Sequence, residues 1–225
     1  MVNDSIRARV LADKMDDETR NDQTRGADAT MAEVNVTKAD VLRAIETERD
    51  WWRAVVDLAA ANGPVTGDEP VTGYWTYREV IGHVNGWRRW TAARLEAAAN
   101  GTGRPITPWP AEMADETEAG TDEINAWITE QSRSKSLDET IGETFALLDQ
   151  MRDAVSRIPD ERLLAPGVYT DIDPDLANYP IGAVVAFSIM HVHEEHAPDL
   201  QAWLTERNGQ HVELPPTPST LGYED

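Results

Sequence analysis

The residues best able to do chemistry in this chain are histidines. There are five, His83, His191, His193, His196 and His211, and three of them fall within His191-Val192-His193-Glu194-Glu195-His196. On a helix, His193 and His196 stand about 60° apart and can face one region of a core. By the same count His191 lies about 140° from His196 and is expected to face elsewhere. His83 sits one turn from both Val80 and Trp87 in an earlier segment, on its apolar side. A His from one helix and a His pair from another match the way helical bundles build metal sites. Imidazole suits Zn, Ni, Fe or Cu, and three protein ligands leave a position open for water. The spacing therefore points to His83, His193 and His196 as ligands. A fourth partner or general base is sought among Glu194, Glu195 and Asp199, of which Asp199 is nearest the His196 face. The alternative for His83 is a hydrogen-bonded core histidine, and for the later cluster a solvated face of His and Glu. His211, in the tail, is given no role.

The chain has no cysteine, which removes disulfides, thiolate nucleophiles and Cys-type zinc sites together. Any transition metal must be held by His, Asp or Glu.

Four amphipathic segments are available to position these residues. The first is expected over about Lys38 to Ala61, capped by Thr37 with Asp40, with Val41, Ile45, Trp52, Val55, Val56 and Ala59 on one face. The second starts at the capping box Thr76-Tyr77-Arg78-Glu79 and runs past His83 to Asn100-Gly101. A long connection rich in proline follows, with a short helix from Asp122 to about Gln131 inside it. The third segment opens at Ser136-Leu137-Asp138-Glu139, repeats apolar residues from Ile141 to Ile158 and closes at Pro159. After an irregular stretch from Leu164 to Tyr179, the fourth is read as one helix from Pro180 to about Arg207. No strand is predicted. Four such helices must bury their stripes on one another, so the expected fold is all-α, an up-down-up-down four-helix bundle over residues 36–208. Residues 209–225 read as a C-terminal extension. Residues 1–35 are polar and acidic and read as a disordered tail. Trp52, Trp87, Trp90 and Trp203 fit core positions, while Trp75 and Trp109 lie beside loops and can line a pocket mouth.

The 225 residues carry 41 acidic against 20 basic side chains, a formal net charge of -21. Such a surface repels nucleic acid and anionic lipid, which excludes both as main partners. The N-terminus has no apolar core of a signal peptide, and the longest apolar run, Ile181 to Met190, is about half a membrane span. A cytoplasmic protein is expected.

The stretch from Trp75-Thr76 through Glu79 and His83 to Trp87 resembles the second-helix signature of DinB-like proteins: a Trp and Thr before the helix, then a His followed four residues later by an aromatic. Asp122-Glu123-Ile124-Asn125 through Ser136-Leu137-Asp138-Glu139 is similar to the segment after the long connection in the ClbS-like and related branches. His193-Glu194-Glu195-His196-Ala197-Pro198-Asp199-Leu200, with Trp203-Leu204, resembles the last-helix signature. The resemblance covers about residues 38 to 206 and rests on the order and spacing of the motifs together.

That resemblance implies a four-helix bundle, often dimeric, with a three-His site for Ni, Zn or Fe in many members. It places His83 and His196 at ligand positions. The family usually spaces its two last-helix histidines four apart; here that slot is Val192, and His193 is the near substitute. Related bundles include S-transferases and isomerases that use low-molecular-weight thiols such as bacillithiol or mycothiol. The expected function is a metal-dependent thiol S-transferase or hydrolase acting on a small molecule, with Asp199 or Glu195 as base and a homodimer as one assembly. The alternatives are a metal-free, ClbS-like protective hydrolase or binding protein, and a non-enzymatic bundle whose histidines are structural.

Overall fold

Three capping boxes set the starts of three long helices. Thr37 and Asp40 exchange side-chain and backbone hydrogen bonds ahead of α1, Lys38–Ala60. Thr76 and Glu79 do the same for α2, Tyr77–Asn100, which ends on Gly101 in the left-handed region. Ser136 and Glu139 open α4, Leu137–Arg157. Each box satisfies amide donors that a helix start leaves free. The structure, a computed structural model, describes residues 36–113 and 117–223. The tail expected at residues 1–35 lies outside them.

Between α2 and α4 lies α3, Glu118–Arg133, longer than the short helix expected there. After α4 come the single turn α5, Asp160–Leu163, and a 3-10 helix, Pro174–Ala177. The last segment is two helices, α6, Ala183–Glu195, and α7, Ala197–Asn208. The expectation of one unbroken helix from Pro180 is corrected at both ends of α6. The chain enters through turns, with the Ala183 amide bonded to the Pro180 carbonyl, and α6 stops at His196. Pro198 explains the stop, because it has no amide hydrogen and its ring crowds the carbonyl four residues back.

The described residues are all helical apart from loops and one isolated bridge. α1, α2, α4 and the α6–α7 pair enclose one core, to which Ile45, Trp52, Val55, Leu148, Met151, Val185 and Leu200 contribute. The apolar stripes on these helices leave water together, which drives the packing. The expected C-terminal extension packs back, burying Val212 and Leu221 in the same core.

α3 lies close against α2 because α2 offers glycines there. A Cβ on Gly82 would stand 2.2 Å from Ser132 Cβ, and one on Gly86 2.4 Å from Ile128 Cγ2. This close approach supports a second apolar cluster of Trp90, Trp109, Ile124 and Ile128. It also braces the turn of α2 that carries His83. Among the described residues no helix is long and apolar enough to cross a membrane.

Candidate metal centre

His83 projects from the second turn of α2, His191 from α6, and His196 from the break between α6 and α7. The His191 Nε2 lies 3.1 Å from the His83 Nε2 and 3.1 Å from the His196 Nε2. The three ring nitrogens all lie within 4.8 Å of one another. His83 and His196 are buried, and the side chain of His191 keeps 15% of its surface exposed.

Burial holds all three rings neutral. Desolvation pushes the His83 pKa well below the usual histidine value, and repulsion from His191 and His196 adds to it. His191 is lowered in the same way, by burial and then by His196 and Arg88. His196 falls to about 4 through burial alone. Neutral imidazoles present lone pairs, as metal ligands must.

The donor set fits a metal ion. Two nitrogens on one tetrahedral ion at ~2.1 Å stand about 3.4 Å apart, close to the 3.1 Å contacts seen here. Without an ion, the His191 Nε2 has one proton or one lone pair to meet two neighbours. Two linear hydrogen bonds are then impossible. An ion accepting all three lone pairs removes that conflict.

The shell around the rings is aromatic and acidic. Trp75 lies over His83, ring centroids 4.5 Å apart, and 5.7 Å from His196. The Trp87 centroid is 6.4 Å from that of His191. Glu195 brings Oε2 to 3.7 Å from the His191 Nε2, while its Oε1 is buried without a hydrogen-bond partner. Burial, with Glu194 nearby, raises the Glu195 carboxyl to about 7. The His83 Nδ1 is also buried without a partner.

The sequence-expected residues divide. The structure brings His83 and His196 together, but their companion is His191. His193 points away, and its Nε2 donates to the Glu48 Oε2 at 2.7 Å. The correction has two causes. His196 has φ -119° and ψ -30°, so counting 100° per residue through it no longer gives its direction. The buried carboxylate of Glu48 also needs donors, and His193 supplies one. Asp199 is exposed in the first turn of α7, so its expected place beside His196 is corrected for the same break. Glu195 does reach the edge of the cluster. Trp75 lies against the triad, whereas Trp109 is buried 5.0 Å from Trp87 and 5.8 Å from Trp90.

Sequence reasoning missed His191, Glu48 and Arg88. Signals existed for the first two. Ala197-Pro198 marks a helix break directly after His196. Glu48 occupies a slot on the apolar stripe between Ile45 and Trp52, where an acid requires a buried partner. Arg88 supplies it, its Nη2 donating to the Glu48 Oε1 at 2.7 Å.

A family model described as the DinB superfamily matches residues 66–196, more than half of the chain. That span includes His83, His191 and His196. No curated protein and no solved structure matches the chain.

Proposed function

We propose, since this chain belongs to the DinB superfamily, that His83, His191 and His196 hold one divalent transition metal and that the site acts on a small molecule as a thiol S-transferase or hydrolase. The observation that carries this reading is the convergence of three neutral, largely buried Nε2 atoms on one point. A bound Zn, Ni or Fe supplies the Lewis acidity that makes a thiol or water nucleophilic at neutral pH. The protein's own groups do the rest. The three imidazoles would hold the ion. Glu195, with an unpartnered Oε1 and a carboxyl raised to about 7, accepts a proton from the nucleophile and returns it to the leaving group. Trp75 and Trp87 keep bulk water from the rings. A low-molecular-weight thiol is the proposed co-substrate, and a homodimer in the cytoplasm the proposed setting.

The test is metal analysis of protein purified without a His tag. One equivalent of Zn, Ni or Fe, lost in His83→Ala and His191→Ala, supports the reading. Substoichiometric metal with no uptake on soaking removes it.

A second reading is favoured by one observation. Metal-bound histidines usually donate their other ring N–H to an acceptor, and the His83 Nδ1 has none. A metal-free protective hydrolase or binding protein needs no such acceptor. It predicts that His196→Ala keeps both the fold and small-molecule binding.

A further inference from the structure

The buried charge next to the triad is incompletely paired. Glu48 is fully engaged: Oε1 accepts from Arg88 Nη2 at 2.7 Å and from Trp52 Nε1 at 2.8 Å, and Oε2 accepts from His193 at 2.7 Å. Arg88 is not. Its side chain is 1% exposed, and Nε and Nη1 are buried with no hydrogen-bond partner. A guanidinium spreads its five N–H groups over three nitrogens, so three of them face no acceptor. Unmet donors on a buried cation are costly, and a core that keeps them implies an occupant that accepts from them.

The position of Arg88 says what that occupant is. His83 and Arg88 are five residues apart on α2, about 7.5 Å along its axis. The contacts of the guanidinium, Glu48 and Trp52, lie on α1, and His193, which shares Glu48, is two residues from His191 on α6. The Trp52 ring lies 5.7 Å from the guanidinium carbon and walls that side with apolar surface. Glu48 neutralises one positive charge. A divalent ion on three neutral imidazoles then leaves this region positive, inside a chain of net charge -21. The molecule suited to lie between the two sites carries an anion.

We infer that Arg88 anchors a carboxylate-class anion on the small molecule handled at the His83–His191–His196 site. As a substrate contact, this anchor rests on the metal-enzyme reading of the triad; as an anion site, it stands on Arg88 alone. A planar monoanion suits a guanidinium that Glu48 already half-engages, and a phosphate would bring more charge than remains to be met. The free donors touch no solvent.

The experiment is calorimetric titration of acetate, and separately of inorganic phosphate, into the full-length metal-free protein, where no ion competes for the anion. Arg88→Met alone strands the Glu48 charge and can unfold the core. The informative variant is Glu48→Gln/Arg88→Met, which leaves no bare charge and keeps an amide oxygen for Trp52. Saturable one-site acetate binding to wild type, at least about tenfold weaker in the folded double variant, is expected. Absence of saturable acetate binding to wild type, or equal affinity in the double variant, overturns the anchor. Phosphate binding more tightly than acetate overturns the carboxylate assignment. Acetate binding by a protein that takes up none of Zn, Ni and Fe supports the anchor and removes the metal-enzyme reading alone.

Discussion

Glu48 on α1 and His193 on α6 are joined at 2.7 Å through the middle of the bundle, both side chains being almost fully buried. The contact fixes α6 in rotation. With His193 held toward α1, His191, two residues and about 200° away on the helix, must face α2. It meets His83 there. The histidine triad is thus aimed by a polar contact that is not part of it.

Replacing Glu48 tests that network most directly. Glu48→Ala leaves Arg88 charged and unpaired in the core and removes the acceptor of Trp52 and His193. A loss of about 3–5 kcal/mol is expected, as for other buried pairs broken on one side. Glu48→Gln keeps an acceptor and should lose less. Urea unfolding of the three proteins at neutral pH measures the order. Equal stability of Glu48→Ala and wild type would show that the core does not depend on this carboxylate.

His191 and His193 should separate in their effects. His191→Ala removes one of three facing nitrogens and is expected to abolish stoichiometric metal binding while leaving the helical signal intact. His193→Ala removes a donor to Glu48 and is expected to lower stability by about 1–3 kcal/mol, with metal still bound by the folded protein. Metal content and melting temperature, taken on the same samples, read both. The reverse pattern would restore the pairing that helical spacing alone suggests.

Local sequence rules accounted for much of the scaffold. Thr37 with Asp40, Thr76 with Glu79 and Ser136 with Glu139 are start signals within four residues, and each forms as written. His83 was placed on the buried side of its helix by neighbours one turn away. The third histidine of the triad was harder to see, because angular counting assumes one helix and Pro198 ends it. Glu48 and Arg88 lie 40 residues apart, and their pairing depends on how α1 crosses α2. No local pattern carries that. Trp75 belongs to a loop, whose path over His83 follows from tertiary packing.

Acid should weaken the contact between α2 and α4 through Glu143. Burial alone raises its carboxyl, but hydrogen bonds from Lys135 and Arg89, each at 2.7 Å, outweigh that and hold it below the ordinary 4.5. A folded-state pKa below the unfolded one means that the unfolded chain takes up the proton first as pH falls. The stabilisation is complete above 4.5 and is lost as pH drops through the lowered value. Glu143→Gln should therefore cost about 1 kcal/mol at neutral pH, a partly buried pair sitting near the upper end of surface bridges. The gap to wild type should close in acid. Urea midpoints at neutral and acid pH compare the two, and a gap that persists in acid would assign the cost to something other than charge.

Two glycine substitutions should move stability in opposite directions. Gly82 faces Ser132, and an added Cβ would stand 2.2 Å from the Ser132 Cβ, an atom fixed by its own backbone. Side-chain rotation cannot relieve this, so α3 must shift away from α2. Gly82→Ala should destabilise by about 1–3 kcal/mol, more than the helix-propensity gain of alanine recovers. Gly142 lies exposed inside α4, and a Cβ there meets nothing within 4 Å. Gly142→Ala should stabilise by about 0.5–1 kcal/mol, because it only reduces the freedom of the unfolded chain. Chemical denaturation of both variants reads the signs. Because Gly82 adjoins His83, displacement of α3 should also lower metal affinity in Gly82→Ala, whereas Gly142→Ala should bind as wild type does. Wild-type metal affinity in a destabilised Gly82→Ala would mean that α3 supports the fold without bracing the metal centre.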